Sequence, residues 1–318
     1  NHIWTSLLHA FYQIKPAFLP NNPNIQILPK MKIIKIIGGL GNQMFQYALA
    51  VALQKKWKDE EIKLDLHGFN GYHKHQGYQL DMLFGHRFEA ATLTDVAQLA
   101  WPYPHYQLWR VGSRLLPKRR SMLCEPSKGL LPSDVLKQKG SLYYDGYWQD
   151  ERYFKAIRPR IMAAFKFPNF TDRRNSEVGE WLKASEAVSI HVRGGDYLDD
   201  VLFQGTCDIA YYQRAIARLC QLKTPVFCIF SNDMAWCKVH IEPLLHGKEI
   251  LYVDWNRGKE SYRDLQLMAL CRHHIIANSS FSWWGAWLSK ADDGITIAPQ
   301  HWYAHDAKPS PAAERWIK

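Results

Sequence analysis

The chain has 318 residues, of which 47% are hydrophobic and 14% are aromatic. This length and apolar content are sufficient for about two packed domains of roughly 150 residues each, which excludes a largely disordered chain. The formal net charge of +10 fits a phosphate-bearing ligand, nucleic acid or an anionic membrane surface, and charge alone does not choose among them.

The first 30 residues differ from the rest of the chain. They contain four prolines, no apolar patch long enough to span a bilayer and no signal-peptide cleavage pattern. A clean strand pattern begins at Met31. We therefore expect residues 1–30 to form an extension outside the core, with the fold beginning at Met31.

A regular alternation of strand and helix patterns follows. Residues 32–37 (KIIKII) predict a short buried strand, residues 38–42 (GGLGN) a turn, and residues 43–57 an amphipathic helix. Similar units recur as AVSIHV before RGGDY, PVFCIF before SND, and HHIIAN before SSFSWWGAWLSK. Ligands of open α/β proteins bind at the carboxyl ends of parallel strands. The pattern therefore predicts an α/β fold with a ligand site where these strands end.

The middle of the chain is less regular. Residues 67–150 are rich in His, Tyr, Pro and Trp, which fits either a sugar-binding surface or aromatic packing beneath long loops. Residues 168–186 are charged and poor in strand formers, and they predict the passage between two domains. We expect the first domain to span residues 31–175 and the second residues 176–318.

The cysteines and the basic residues exclude some classes of protein. No CxxC pair and no Cys/His cluster with zinc spacing occurs, which predicts reduced, mostly buried thiols in a cytosolic protein. The densest basic run, PKRR at residues 117–120, is short and lacks interleaved aromatics. Nucleic acid is therefore not the predicted partner.

The glycine-rich turn suggests a nucleotide site of a particular kind. Gly39 and Gly41 match the first two glycines of G-x-G-x-x-G, but Met44 occupies the third position, which disfavours a nicotinamide-type site. What remains is a turn whose backbone approaches a ligand, followed by the outward-facing amides of Asn42 and Gln43 at a helix start. The alternative is a tight turn with Asn42 as the helix N-cap.

The run SIHVRGGDY at residues 189–197 places His191, Arg193 and Asp196 at the end of a predicted strand. A surface turn bent by two glycines would explain the charges. A guanidinium also matches phosphate oxygens with two parallel bonds, so Arg193 suits a diphosphate leaving group. Asp196 is the candidate general base, although a turn-stabilising bond or an ion pair with Arg193 explains it equally well. No Asp-x-Asp cation motif occurs, so we expect no metal ion.

Two further sets of polar residues lie towards the carboxyl end of the chain. Asn278, Ser279 and Ser280 stand between a strand and a helix, where they predict either a phosphate cradle or an ordinary N-cap. The tryptophans that follow favour helix packing. Asp264 stands three residues after Ser261, a spacing that fits a capping box or a carboxylate that accepts bonds from guanine N1 and N2.

Four motifs together, GGLGNQMFQYALA, HVRGGDY, FSNDMAWCK and IIANSSFSWWGAWL, closely resemble the bacterial α-1,2-fucosyltransferases of glycosyltransferase family eleven. The resemblance runs from Met31 to about Ser289. It implies a GT-B-like architecture, in which two Rossmann-like domains face each other across the active-site cleft. The first domain, at residues 31–175, is expected on the acceptor side, and the second, at residues 176–318, is expected to bind GDP-fucose. The resemblance also implies inverting, metal-independent transfer of L-fucose from GDP-fucose to the 2-hydroxyl of a terminal galactose, in bacterial surface-glycan biosynthesis and with no cofactor.

The resemblance also assigns roles by position. Arg193 matches the arginine that grips the diphosphate, His191 a nucleotide contact and Asp264 a guanine-contacting acid. Asp233 is expected to shape its turn rather than to touch substrate. The remaining donor-side positions are Gly39, Gly41, Asn42, Gln43, Asn278, Ser279, Ser280 and Phe281.

One departure from the family pattern stands at Gly194, where the family usually has a second arginine. It implies a slower enzyme or weaker GDP-fucose binding, and it keeps open a catalytically weak glycan-binding relative. Another GDP-sugar transferase is the second alternative. The expected partners are GDP-fucose and a terminal β-galactoside in the cytoplasm, and a charge of +10 is compatible with peripheral association at the inner membrane face.

Overall fold

The computed structural model describes residues 30–85, 88–125, 131–194, 205–304 and 310–318. Ten strands in these ranges form two five-stranded sheets, and every pairing between neighbouring strands is parallel. The strands are β1 Met31–Lys35, β2 Glu61–Asp65, β3 Glu89–Ala90, β4 Met122–Cys124, β5 Leu142–Asp145, β6 Glu186–Val192, β7 Pro225–Ser231, β8 Glu249–Val253, β9 His273–Ile275 and β10 Thr296–Ile297. Their spatial orders are β3-β2-β1-β5-β4 and β10-β9-β6-β7-β8.

Eleven α-helices within the same ranges connect and cover these strands. They are α1 Leu40–Lys56, α2 Leu80–Phe84, α3 Leu93–Leu99, α4 Tyr106–Leu115, α5 Pro132–Lys137, α6 Arg158–Ala164, α7 Arg173–Ala184, α8 Ile209–Leu219, α9 Met234–His240, α10 Tyr262–Met268 and α11 Ser280–Leu288. The predicted α/β fold with two parallel sheets is confirmed. The expected extension at residues 1–30 lies outside the described residues except for Lys30.

The first strand begins at Met31, as predicted, and all five of its residues are buried. The helix that follows differs from its predicted character. Apart from Asn42, every residue of α1 from Leu40 to Leu53 is buried, so the prediction of an amphipathic helix is wrong. The reason is that α1 packs into the largest core cluster, which it shares with α11, and therefore has almost no solvent-facing side in this stretch.

Most of the charged segment at residues 168–186 is the helix α7, Arg173–Ala184. Asp172 caps α7 by accepting a bond of 2.7 Å from the Asn175 N–H. Leu182 packs with Leu267 and Met268 in one core cluster, while the charged side chains point outwards. The strands of the first sheet lie at residues 31–145 and those of the second at 186–297.

A tryptophan-rich contact joins the first half of the chain, which carries the sheet at residues 31–145, to the second half, which carries the sheet at residues 186–297. Trp283, Trp284 and Trp287 are fully buried, which confirms that these rings serve packing. The ring of Phe45 in α1 lies 4.4 Å from that of Trp283 and 5.0 Å from that of Trp284, between centroids. Helices α1 and α11 are thereby held side by side.

The six cysteines are free thiols, as predicted, and Cys228, Cys237 and Cys271 are buried. Within the ranges that the structure describes, no helix is long and apolar enough to cross a membrane.

Candidate active site

A cavity of about 720 Å³ opens where strands from both sheets end. Its walls come from the segments that follow β1, β2 and β5 in the first sheet and β6, β7, β8 and β9 in the second. The carboxyl ends of parallel strands are the usual ligand-binding edge of α/β sheets. Ten of the residues predicted from the sequence line this cavity: Gly39, Gly41, Asn42, His191, Arg193, Asp264, Asn278, Ser279, Ser280 and Phe281.

Gly41 lies against the backbone of Ser280 and Phe281, at the start of α11. A Cβ atom at this position would stand 2.5 Å from the backbone carbonyl carbon of Ser280 and 2.7 Å from the nitrogen of Phe281. No side chain fits at such distances. Gly41 therefore permits the first turns of α1 and α11 to meet at the floor of the cavity.

Asn42 is not the cap of its helix. Helix α1 begins at Leu40, and its N-cap is Gly39, which makes no side-chain cap bond. The alternative of Asn42 as N-cap is therefore wrong. Asn42 lies in the first turn, where its Oδ1 accepts a hydrogen bond of 2.7 Å from Gln149. Because this turn contains no acidic residue, its partial positive charge is available to an anion.

Gln43 lies beneath the cavity rather than in its wall. Its side chain is fully buried, and its amide nitrogen donates to the carbonyl oxygens of Gly38 and Gly77 over 2.8 and 2.7 Å. Its Oε1 accepts a bond of 3.0 Å from the Gln79 N–H. These bonds occupy the amide, so Gln43 ties the loop at residues 75–79 to the glycine turn.

His191 and Arg193 stand at the end of β6 and face the cavity. Burial and the charge of Arg193 lower the pKa of His191 to about 3, so its imidazole is neutral at physiological pH. The Nδ1 atom of His191 is buried and has no hydrogen-bond partner among the residues that the structure describes. A neutral imidazole with an unpaired nitrogen therefore lies next to a guanidinium, which suits a ligand with both anionic and polar groups.

Gly194 is enclosed by the turn after β7. Asn232 accepts a bond of 2.9 Å from the Gly194 N–H and donates one of 3.0 Å to its carbonyl oxygen. A Cβ atom on Gly194 would stand 2.8 Å from the Cβ of Asp233. Asp233 caps α9 by accepting a bond from the Trp236 N–H, which confirms its predicted role in the turn. The family's second arginine would therefore clash with the start of α9.

Asp264 faces the cavity without a capping box. Ser261 precedes α10 in helical backbone geometry and makes no cap bond, so the capping-box alternative is wrong. Burial raises the pKa of Asp264 to about 7, and neighbouring Asp254 adds to that shift. Asn256 opposes it by donating a bond of 2.9 Å to Asp264 Oδ1. This carboxyl group is poised to ionise when a ligand presents further N–H donors.

The start of α11 has the N-cap that its sequence suggests, and it also lines the cavity. Ser279 is the N-cap, and its hydroxyl accepts a bond of 3.3 Å from the Phe281 N–H. Ser280, the first residue of the helix, lines the cavity, so the positive end of the helix faces it. No acidic residue in the first turn neutralises this end. Asn278 braces the wall by donating to Thr206 and to the Trp302 carbonyl oxygen over 2.7 and 3.2 Å.

The aromatic residues of the stretch 67–150 occupy two kinds of environment. Tyr72 packs on Tyr106 with ring centroids 4.9 Å apart, as expected for packing beneath loops. His75 and Tyr147 instead line the cavity. Tyr147 is 41% exposed there, so its ring is available to a sugar face.

Other cavity residues were missed by the sequence motifs, and one predicted residue is not placed. Asp254, Asn256 and Arg257 line the wall directly after β8. The run ILYV before DWNR carries the same strand-then-polar signal as the other units, so this pattern could have found them. Asp196 lies outside the described residues.

Comparison with known proteins places the chain among glycosyltransferases. Residues 134–317 match the family model described as glycosyl transferase family 11. An alpha-1,2-colitosyltransferase from Escherichia coli is 33% identical over 298 residues, which cover 90% of this chain and 98% of that one. Galactoside alpha-(1,2)-fucosyltransferase 2 from Gorilla gorilla gorilla is 24% identical over 275 residues, covering 82% of this chain and 70% of that one.

The fold has a counterpart among solved structures. The Bradyrhizobium NodZ alpha-1,6-fucosyltransferase, in a crystal soaked with GDP-fucose, matches with a TM-score of 0.52 at 15% identity, covering 86% of this chain and 97% of that one. This likeness in fold confirms the predicted GT-B-like architecture. The family model matches more than half of the chain, and the Escherichia coli relative covers nearly all of it. The chain therefore belongs to glycosyl transferase family 11.

Proposed function

We propose that this chain transfers L-fucose from GDP-fucose to the 2-hydroxyl of a terminal galactose, with inversion and without a metal ion. One observation carries the proposal. A single cleft brings Arg193, the start of α11 and Asp264 together in the second half of the chain, opposite the start of α1. The names of the two relatives support 1,2-linked transfer, and one of them supports a galactoside acceptor.

The leaving diphosphate would lie between Arg193 and the start of α11. As GDP departs, negative charge grows on the β-phosphate, and a guanidinium can donate two parallel bonds to it. The helix end beside Ser280 adds backbone N–H groups and its partial positive charge. Each such donor is worth about a hundredfold in rate when it acts on developing charge. These groups together would provide the neutralisation that a divalent cation provides in other transferases.

The guanine base would lie against Asp264. Guanine presents two neighbouring N–H donors, and an ionised carboxylate accepts both. Before nucleotide binds, burial raises the pKa of the Asp264 carboxyl to about 7, so this group is partly protonated. Two incoming donors favour the charged form, so nucleotide binding would ionise Asp264. Asn256, which already bonds this carboxyl, would keep it oriented.

A direct assay tests the proposal. The protein is incubated with GDP-fucose and lactose, once with EDTA and once with added Mg²⁺ or Mn²⁺, and fucosyllactose and GDP are quantified by mass spectrometry. We expect equal rates in both conditions and a product fucosylated at the 2-hydroxyl of galactose. Absence of fucosyllactose and GDP in both conditions would refute the proposed function. Product that forms only with added metal would refute the metal-independent mechanism.

Colitose is the second candidate sugar, because the relative that matches 90% of this chain is a colitosyltransferase. Colitose is fucose without the 3-hydroxyl. A site built to bond a hydroxyl rejects the analogue that lacks it by about 10⁴-fold, whereas a site built without that bond rejects an added hydroxyl by only about 10²-fold. Comparison of kcat/KM for GDP-fucose and GDP-colitose therefore identifies the donor for which the pocket is shaped.

A further inference from the structure

The proposed transfer releases a proton, and the cations of the site cannot accept it. When the 2-hydroxyl attacks C1 of fucose, its proton must pass to a base on the acceptor side of the cleft. The described cleft carboxylates, Asp254 and Asp264, both come from the second half of the chain, as does neutral His191. The first half contributes two titratable side chains to the described wall, His75 and Tyr147. Tyrosine is protonated at neutral pH and is a poor base.

We propose that His75 accepts the proton of the attacking hydroxyl, an inference that rests on the proposed function. Its backbone φ is +58°, in the left-handed region that few residues other than glycine adopt. Such a conformation persists only where the surroundings maintain it, and it recurs at functional sites. His75 is exposed and lines the cleft in this conformation, so its imidazole is accessible to a substrate.

Contacts with α1 keep the imidazole in place. Its Cγ and Nδ1 atoms lie 3.4 Å from the point where a Cβ of Gly39 would stand, so the ring packs against the bare N-cap of the helix. Gln43 supports the same loop from below through its bonds to Gly77 and Gln79. Gln43 therefore holds the loop that carries His75 against the glycine turn.

The step balances without any further reactant. The bond from the acceptor 2-oxygen to C1 of fucose forms as the bond from C1 to the β-phosphate oxygen breaks, and GDP leaves with the electron pair. The hydroxyl proton passes to an imidazole nitrogen of His75. Because His75 is exposed, the imidazolium returns this proton to water. Among the described residues, the other charged or titratable groups that line the cleft are Tyr147, His191, Arg193, Asp254, Arg257, Asp264 and Tyr303. Tyr72, His73 and Lys74 lie in the same loop as His75.

Kinetics of His75→Gln and His75→Ala test the assignment, with His73→Gln as the control. His73 is an exposed histidine of the same loop and does not line the cleft. At saturating GDP-fucose and lactose, we expect kcat of both His75 variants to fall about a hundredfold, the usual contribution of a general base. The affinity for GDP should stay unchanged, and His73→Gln should match the unmodified protein. Added imidazole should restore part of the rate of His75→Ala.

The pH profile separates catalysis from loop shape. The kcat of the unmodified protein should fall at acidic pH, since imidazolium accepts no proton, and the His75 variants should lose this decline. Two results would overturn the proposal. One is an unchanged kcat in His75→Ala, and the other is a reduced kcat that keeps its acidic decline and gains nothing from imidazole.

A binding measurement tests the position of His75 independently of the proposed donor sugar. The NMR signals of the His75 ring, assigned by their loss in His75→Gln, should shift when lactose is added to the protein with GDP. Inactivity with GDP-fucose combined with this shift would contradict the proposed donor and support the place of His75. Absence of any shift would overturn the assignment of His75.

Discussion

Trp284 donates its indole N–H to the carbonyl oxygen of Gly41 over 3.0 Å, although 243 positions separate them in the chain. The bond joins α11 to the first turn of α1, where Gly41 also contacts the backbone of Ser280. Two helix N-termini from different halves of the chain consequently face one cleft. This contact therefore sets how far Arg193 and Asp264, which are proposed to hold the donor, lie from His75 on the acceptor side.

Gly41→Ala should destabilise the protein and weaken GDP binding. The added methyl would stand 2.5 Å from the backbone of Ser280, so the two helix starts must separate. Forcing an extra carbon into a packed site costs about 1–3 kcal/mol. Thermal unfolding and GDP titration measure both effects. Gly39→Ala is the control for stability, because its nearest neighbours lie at 3.4 Å and its φ of −72° suits alanine. Equal melting temperatures for the two variants would contradict this account.

Arg193→Ala should reduce kcat by about a hundredfold or more, because it removes the donor pair proposed for the β-phosphate. Arg193→Lys should recover only part of the rate, since a lysine cannot make two parallel bonds. Steady-state kinetics with GDP-fucose and lactose provide the measurement. Arg218→Ala removes an exposed guanidinium from the last turn of α8 and should leave the rate unchanged. Near-normal turnover of Arg193→Ala would refute the role of this residue.

Asp264 should make both GDP binding and stability depend on pH. Its pKa rises from 3.8 to about 7 on folding, so the folded state holds a proton that the unfolded state releases between these values. Stability from this group is therefore full at low pH and declines as pH rises from about 4 to 7. GDP affinity should change in the opposite direction, because the ionised carboxylate accepts the guanine donors.

Asp264→Asn should remove both dependences. Calorimetric titration of GDP and thermal unfolding across the same pH range measure them in the variant and in the unmodified protein. We expect weaker GDP binding with a flat pH profile in Asp264→Asn. A variant with the same pH-dependent affinity as the unmodified protein would show that guanine does not contact this carboxyl group.

Gly194→Arg restores the arginine of the family pattern but should not improve this enzyme. Its Cβ would stand 2.8 Å from the Cβ of Asp233, so we expect a loss of about 1–3 kcal/mol in stability and no gain in kcat. Adding Asp233→Gly removes the opposing Cβ and leaves an acceptable N-cap for α9. The double variant should be more stable than Gly194→Arg alone, as measured by chemical denaturation. Strictly additive effects would refute the steric explanation.

The local patterns of the chain were sufficient to predict much of the site. A buried strand followed by polar residues marks the carboxyl edge of a parallel sheet wherever it occurs, and this rule located Arg193 after β6 and Ser279 after β9. The same rule applies to Asn256, which follows β8. The ends of strands depend mostly on neighbouring residues, so the sequence alone predicts them.

Other features depended on the packing of distant segments. Ser261 and Asp264 fit a capping box in the sequence, yet the geometry at the start of α10 turns Asp264 towards the cleft instead. Gly41 requires glycine only because Ser280 lies against it. Gln43 bonds to Gly77 and Gln79 only when the loop that carries His75 folds onto α1. Contacts between segments far apart in the chain follow from how helices and sheets pack, and no local propensity encodes them.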